Sequence, residues 1–234
     1  MDPRLFLNVA SAAAGIFALC RLMYTGVHRS YPWFSVYLAA AALQSFGWLA
    51  GGPRNHLYMI IWASSTAALL GLRIVVVVEL WQKLSDSPRA VFFSRSFTWI
   101  VLLSALAVAA ASGLDSLKLF GQSPQRLAFY CVSLASRYSS SALCVICSSL
   151  AIFAVMFPRG VPKNAIRHAF LLTAYFATIA AGFLVMNFFR GTAPLVGALL
   201  SGSSAGLYAL WGLLLSDPTE RAATIPESAQ PGLS

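Results

Sequence analysis

The chain has 234 residues, of which 59% are hydrophobic and 10% charged, and its formal net charge is +9. Soluble domains carry about 25% charged residues, so this composition excludes an ordinary water-exposed surface. The basic residues are scattered among the loops and form no run or stripe, which argues against a nucleic-acid-binding protein. We therefore expect an all-α, polytopic membrane protein.

Apolar segments recur along the chain, each near the roughly 20 residues that a helix needs to cross about 30 Å of hydrocarbon. The first helix is predicted at Leu5–Tyr24, and its apolar run through Cys20 favours a retained helix over a cleaved signal peptide. The next three helices are predicted at Pro32–Ala50, Leu57–Gln82 and Ser94–Ser112.

The fifth predicted helix, Pro124–Phe157, is too long for one crossing. Its first part, SPQRLAFYCVSLASRY, mixes charged with aromatic residues, so we expect the span to begin near Ser139 and the preceding turns to lie at the membrane interface. The sixth and seventh helices are predicted at Ile166–Phe189 and Ala193–Leu215, which completes a bundle of seven transmembrane helices.

The distribution of basic residues predicts the orientation. Nine of them lie on one side of the predicted spans and five on the other, and the positive-inside rule assigns the nine to the cytoplasm. The N-terminus is then outside and the C-terminus cytoplasmic. We expect residues 1–216 to form the transmembrane domain and residues 217–234 to form a polar, disordered cytoplasmic tail.

The stretch LGLRIVVVVELW, residues 70–81, places Arg73 and Glu79 in the third predicted helix. Six residues of α-helix turn through about 600°, so the two side chains point about 120° apart and lie about 9 Å apart along the axis. They are not expected to pair with each other. Lys83, four residues after Glu79, is the expected partner of the acid at the cytoplasmic membrane interface.

Arg73 needs a different partner, because an arginine inside a span usually faces the bundle interior and is paired there. The candidates are Gln44, Asn187, hydroxyl groups, main-chain carbonyls, an acid of another subunit or an anionic lipid. Both a structural role and a functional pocket remain open. Arg137, at the end of the charged first part of the fifth helix, is a further candidate polar residue within the membrane.

The seventh predicted helix carries small residues at helical spacing. Gly202 and Gly206 form a G-x-x-x-G motif, a pattern that allows close approach of two helices in lipid. A second row of small residues has the same spacing: Gly197, Ser201, Ala205 and Ala209. We expect this helix to pack closely, either inside the bundle or against another subunit.

The sequence contains no recognisable catalytic or cofactor motif. Cys144 and Cys147 form a C-x-x-C on the fifth helix, but no second pair of ligands would complete a zinc site, so we interpret them as buried cysteines. His28, His56 and His168 lie at the ends of predicted spans, which argues against a bis-histidine haem. We expect no cofactor, no metal and no enzymatic activity.

The segments YPWFSVYLAAAALQSF, YMIIW and RIVVVVELWQKL resemble a family of small seven-helix membrane proteins of soil bacteria, particularly acidobacteria, to which no activity is attached. The likeness in specific residues covers Tyr31–Leu84. It implies a seven-helix bundle in the bacterial cytoplasmic (inner) membrane and a role for Glu79. The layout is also similar to the seven-helix sensor modules that precede bacterial histidine kinases, but only a short tail follows the last helix, so signalling would need a separate partner.

Three functions follow from these features. The first, which we expect, is a non-enzymatic sensor, scaffold or accessory subunit whose partners are membrane lipids and other membrane subunits or copies of the chain. The second is a small-molecule or lipid transporter with a cavity near Arg73, Gln44 and Asn187. The third, an intramembrane enzyme, needs polar groups clustered at one leaflet, and the sequence indicates no such cluster.

Overall fold

The computed structural model describes residues 3–51, 56–85, 95–111, 124–156 and 161–215, and within these ranges the chain is helical, without β-strands. The α-helices of the described residues are α1 (Pro3–Thr25), α2 (Pro32–Gly51), α3 (His56–Ser85), α4 (Arg95–Ala111), α5 (Pro124–Met156), α6 (Lys163–Phe188) and α7 (Ala193–Leu214). Short 3₁₀ turns precede α2 at Val27–Arg29 and α7 at Arg190–Thr192. The all-α class and the seven predicted helices are confirmed. The predicted tail, residues 217–234, lies outside the described residues.

Within the described residues, five of these helices are long and apolar enough to cross a membrane: Phe6–Thr25, Ile60–Ser85, Tyr130–Met156, Lys163–Met186 and Pro194–Leu214. The outer surface agrees with this, because large apolar side chains such as Leu43 (72% exposed), Leu106 (66%) and Phe188 (74%) point away from the protein. A water-soluble protein rarely exposes such a surface continuously. The chain is a multi-pass helical membrane protein.

α5 is one continuous helix of 33 residues, with no break at Ser139. Its apolar, span-like segment is Tyr130–Met156, which contains the predicted span from Ser139 onward. The division of this helix into an interfacial part and a crossing part therefore stays a prediction.

The helices pack into a ring that leaves α4 at its edge. α1 contacts α2 and α7, α2 contacts α3, α3 contacts α5, α5 contacts α6, and α6 contacts α7. α4 packs against α5, and α3 also contacts α6. Helices α2, α3, α6 and α7 supply the side chains of the site described below.

The turn before α2 fixes where that helix begins. α1 ends at Thr25 because Gly26 adopts a left-handed backbone with φ 73°, which glycine tolerates without a Cβ clash. The main-chain N–H of Tyr31 donates to the carbonyl of Val27 at 3.0 Å and closes the turn. α2 then begins at Pro32, where the missing N–H group leaves no intrahelical bond unmade.

The α1–α7 contact depends on a glycine outside the predicted motif. A Cβ added at Gly212 would lie 3.1 Å from the Cα of Ala18 and 2.8 Å from the ring of Phe17. The backbones of the two helices approach so closely there that any larger residue would force them apart.

The two glycines of the predicted G-x-x-x-G motif, Gly202 and Gly206, are packed less closely against other helices than Gly212 is. A Cβ at Gly202 would lie 3.5 Å from Leu7 of α1, which is an ordinary contact distance, and a Cβ at Gly206 or Gly197 would meet nothing within 4 Å. Gly206 and Gly197 are exposed, whereas Ala205 is half-buried. Gly202 therefore faces α1 inside the bundle, whereas Gly206 lies on the outer surface of α7.

Candidate functional site

Three tyrosine hydroxyl groups from three helices meet in the interior of the bundle. The hydroxyl oxygen of Tyr37 on α2 lies 2.6 Å from that of Tyr175 on α6 and 3.3 Å from that of Tyr208 on α7. All three side chains are buried. Buried hydroxyl groups must find partners within the protein, because the hydrocarbon around the helices offers none. The three tyrosines therefore form one connected cluster.

Helical spacing brings these tyrosines inward. On α2, Phe34, Tyr37, Leu38 and Ala41 are buried at intervals of three and four residues. α6 and α7 show the same inward periodicity, with these buried residues: His168, Leu172, Tyr175, Phe176 and Ile179 on α6, and Tyr208 and Trp211 on α7, followed by Leu215 directly after that helix.

Arg73 on α3 extends to this cluster. Its Nη2 donates to the Tyr175 hydroxyl at 3.2 Å, and its Cζ lies 5.6 Å from the centroid of the same ring, which is a cation–π distance. Its Nε and Nη1 atoms are buried and have no hydrogen-bond partner among the described residues. The partner of Arg73 is thus a hydroxyl group, which is one of the predicted kinds of partner. This hydrogen bond involves one of the three guanidinium nitrogen atoms.

Glu79 lies elsewhere on α3 and contacts the beginning of α2. Its Oε1 accepts from the main-chain N–H of Trp33 at 3.0 Å, and its Oε2 accepts from that of Phe34 at 3.1 Å. The first N–H groups of a helix have no intrahelical acceptor, and the helix dipole favours a negative charge beside them. These two amides donate the described hydrogen bonds of the buried carboxylate, and no ion pair with Lys83 within 4.0 Å forms among the described residues.

A layer of aromatic side chains connects the Glu79 cap to the tyrosine cluster. The ring of Phe34 lies 4.5 Å from the imidazole of His168 and 5.0 Å from the ring of Trp211, measured between centroids. Trp211 Nε1 donates to His168 Nδ1 at 3.0 Å. The ring of Trp211 in turn lies 5.9 Å from that of Tyr175. A continuous series of contacts therefore runs from the end of α3 to the middle of the bundle.

His168 lies near the beginning of α6, as predicted, but its side chain faces the interior of the bundle, which the sequence did not indicate. It is fully buried, and its Nε2 has no hydrogen-bond partner in the described structure. Because Nδ1 accepts from Trp211, the neutral ring carries its proton on Nε2. Among the described residues its contacts are with aromatic side chains: Trp211 donates to it, and the rings of Tyr31 and Phe34 lie 5.3 Å and 4.5 Å away between centroids.

Gln44 belongs to a separate polar contact between α2 and α3. Its Nε2 donates to Ser65 at 3.0 Å and to Thr66 at 2.8 Å. The same part of the two helices borders an open, apolar groove with a cavity volume of about 310 Å³, lined by Ala40, Leu43, Gln44, Gly47, Ile61, Trp62, Ser65, Ala68 and Leu69. Arg73 is not among the residues that line this groove, so the groove itself does not join Gln44 to Arg73.

The remaining predicted residues are on α5, α6 and α7. Arg137 is half-buried on α5. Asn187 is part of α6, but its side chain lies outside the described residues. Ser201 on α7 donates to Asn8 Oδ1 on α1 at 3.1 Å, so the predicted packing surface of α7 also carries a polar contact.

Five residues of the site were absent from the predicted set: Tyr37, Tyr175, Tyr208, His168 and Trp211. The spacing of four of these residues in the sequence could have indicated that they share a helix face. His168 and Tyr175 are seven residues apart, and Tyr208 and Trp211 are three apart, so each pair lies on one face of its helix. The sequence indicated a polar site near Arg73 with Gln44 and Asn187, whereas the folded chain surrounds Arg73 with the hydroxyl groups of three tyrosines.

In the described ranges no group of three or more His, Cys, Asp or Glu side chains could hold a metal ion. Cys147 is buried and Cys144 half-buried on α5, and both are free thiols. Comparison of the chain with protein-family models, with curated proteins and with solved structures finds no match.

Proposed function

We propose that all seven helices cross the membrane, with the N-terminus outside and the C-terminus in the cytoplasm of a bacterium, in its inner membrane. The 20 residues of α2 span about 30 Å and the 17 residues of α4 about 26 Å at 1.5 Å per residue, close to the thickness of the hydrocarbon. The basic residues of the loops support the orientation, and the resemblance to soil-bacterial proteins supports the compartment. Reporter fusions at the two ends should report opposite compartments; the same compartment for both ends would contradict seven spans.

We further propose a non-enzymatic function as a sensor, scaffold or accessory subunit of a membrane assembly. The observation that supports it is the continuous network from Glu79 through Phe34 and Trp211 to the tyrosine cluster. This network joins four helices, so a displacement of one helix changes contacts in the others. It also connects the middle of the bundle with the predicted cytoplasmic end, where a separate effector would bind.

This function predicts that the protein is purified with partners. Extraction in a mild detergent, followed by native mass spectrometry, should detect a second copy, another membrane subunit or a tightly bound lipid. A lone monomer with nothing bound would count against the proposal.

The exposed face of α7 offers a sharper test of self-association. Gly206 has nothing within 4 Å of an added Cβ, so Gly206→Leu should leave the bundle intact and disturb a contact with another chain. Gly71 on α3 has the same open surroundings and provides the matched control, Gly71→Leu. Loss of the oligomer only in Gly206→Leu supports an interface on α7, and an unchanged oligomer in both variants excludes that interface.

The second candidate function is a small-molecule or lipid transporter with a polar site near Arg73. The observation in its favour is that Nε and Nη1 of Arg73 are buried and have no hydrogen-bond partner in the part of the chain that the structure describes. Uptake measured in proteoliposomes should be lost in Arg73→Ala and kept in Arg29→Ala, since Arg29 is exposed in the turn before α2. Equal uptake by both variants would reject a transport site at Arg73.

A further inference from the structure

Arg73 has no counter-ion in the described structure. Glu79 is the one acidic residue among the described residues, and both of its carboxylate oxygens accept hydrogen bonds from the amides of Trp33 and Phe34. It also lies about 9 Å from Arg73 along the axis of α3. A buried cation without an anion is costly, and intramembrane arginines are usually paired.

The cluster around Arg73 also has more hydrogen-bond donors than acceptors. The guanidinium offers five N–H groups, and its described hydrogen bond is the one from Nη2 to Tyr175. The two contacts between the hydroxyl groups of Tyr37, Tyr175 and Tyr208 use two of their three hydrogen atoms. Three of the five guanidinium N–H groups, those of Nε and Nη1, therefore have no acceptor among the described residues, and one of the three tyrosine hydrogen atoms is not used in these contacts.

The surroundings restrict the kind of acceptor. Aromatic rings border the cluster: Phe176 lies 5.4 Å and Trp211 5.9 Å from the Tyr175 ring, centroid to centroid. Transfer of a doubly charged phosphate into such an environment costs more than transfer of a single charge. A carboxylate carries one charge, and its two oxygens match adjacent N–H groups of a planar guanidinium.

We propose that Arg73, with the hydroxyl groups of Tyr37, Tyr175 and Tyr208, binds the carboxylate of an organic acid with an apolar body. The guanidinium pairs with both carboxylate oxygens, the remaining tyrosine O–H donates to one of them, and the aromatic rings contact the apolar body. The inference shares with the transporter candidate the placement of a ligand at Arg73, and it names the chemical class of that ligand.

The test uses the full-length protein in nanodiscs of zwitterionic phosphatidylcholine, which supply no competing anionic lipid. The aqueous probe is benzoate, with the neutral benzamide as its control; the bilayer probe is oleate, with methyl oleate as its control. Thermal unfolding and isothermal titration calorimetry measure binding.

At least one carboxylate should raise the unfolding temperature, whereas both neutral compounds should leave it unchanged. A response to benzoate indicates entry from water, and a response to oleate alone indicates entry from the bilayer. If neither carboxylate has an effect, the proposal is overturned.

Variants connect binding to Arg73. Arg73→Gln removes the charge and should weaken carboxylate binding about 10- to 100-fold, the usual effect of losing a charged hydrogen-bond partner. Arg29→Gln removes an exposed arginine and should change the affinity less than about twofold. Arg73→Lys keeps the charge and thereby the fold, but it loses the planar pair of donors, so binding should weaken about tenfold. Wild-type affinity in either Arg73 variant, folded by circular dichroism, would overturn the proposal.

The results separate this inference from the functions proposed above. Carboxylate binding without uptake in proteoliposomes contradicts the transporter and leaves the binding site intact. Uptake of a substrate without any carboxylate binding overturns the site and leaves transport intact. The co-purification of partners bears on the sensor or scaffold function alone.

Discussion

Glu79 on α3 accepts a hydrogen bond of 3.1 Å from the main-chain N–H of Phe34, a residue 45 positions earlier in the chain. Its other carboxylate oxygen accepts from Trp33 at 3.0 Å. A side chain that caps a helix usually comes from the residue just before that helix, but α2 is preceded by Tyr31 and begins with Pro32. The cap therefore comes from a neighbouring helix, and it holds α2 against α3.

Glu79→Ala should destabilise the protein by about 1–3 kcal/mol, because it leaves the buried amide of Phe34 without an acceptor. Glu79→Gln should have a smaller effect, since the amide oxygen can still accept one bond while the charge at the helix end is lost. Thermal unfolding in detergent, followed by circular dichroism, measures both variants. Gln82→Ala, at an exposed position of the same helix, is the control and should change the unfolding temperature little. Equal effects at residues 79 and 82 would reject the cap.

Tyr37→Phe removes the hydroxyl group that contacts both Tyr175 and Tyr208. The expected loss of stability is about 1–2 kcal/mol, since a typical hydrogen bond contributes about 1 kcal/mol. Tyr24→Phe makes the same chemical change on a side chain that is 82% exposed, and it should be neutral. The free energy of unfolding in mixed micelles distinguishes the two variants. A neutral Tyr37→Phe would mean that the hydroxyl cluster does not stabilise the bundle.

Trp211→Phe deletes the N–H group that donates to His168 and should cost about 1–3 kcal/mol, because the buried Nδ1 atom then lacks a partner. The double variant Trp211→Phe with His168→Phe removes both polar partners, so neither is left buried and unpaired. Its loss of unfolding free energy should therefore be about 1 kcal/mol smaller than the sum of the losses in the two single variants. Trp99→Phe, on an exposed face of α4, controls for the loss of an indole ring. Simple additivity in the cycle would show that the hydrogen bond contributes nothing.

Gly212→Ala and Gly71→Ala should have opposite effects. At Gly212 the new Cβ would lie 3.1 Å from the Cα of Ala18, so α1 and α7 must separate, at a cost of about 1–3 kcal/mol. At Gly71 the Cβ meets nothing within 4 Å, and alanine should stabilise the helix by up to about 1 kcal/mol. Unfolding temperatures of the two variants, compared with wild type, provide the measurement. A stabilising Gly212→Ala would contradict the close approach of the two helices.

The positions of the helices could be predicted from the sequence because their signal is local. Each apolar run is bounded by turn residues, so α2 begins at Pro32 and α7 begins at Ala193 in both the prediction and the structure. The predicted C-terminus of α3, Gln82, differs from the observed Ser85 by only three residues.

The contacts between helices were harder to predict. For Glu79 the sequence offered Lys83, four residues away on the same helix, whereas its partners come from a different helix. The spacing of residues within one helix carries no information about which face of a second helix lies opposite. For Arg73 the same limit applied: the class of partner, a hydroxyl group, could be named, but Tyr175 could not be selected from the other hydroxyl groups.

The tyrosines were overlooked for a chemical reason. Tyrosine is common at the interfaces of membrane proteins, so its presence in a predicted span does not distinguish an interfacial ring from a buried one. The G-x-x-x-G motif was singled out from the sequence, but its glycines do not form the closest contact of α7. Its spacing permits close packing, but which glycine lies at the α1–α7 contact depends on the rotation of α7, and that rotation places Gly212 there.

The Glu79 cap also bears on how the polypeptide is inserted during synthesis. Until α3 arrives, the amide of Phe34 has no acceptor, and hydrocarbon supplies none. The free energy of α2 alone in the membrane is thus higher than that of α2 packed against α3 in a helical hairpin. The translocon should release these two segments to the lipid together, and a nascent chain that stops before the third helix should be a preferred target for membrane proteases.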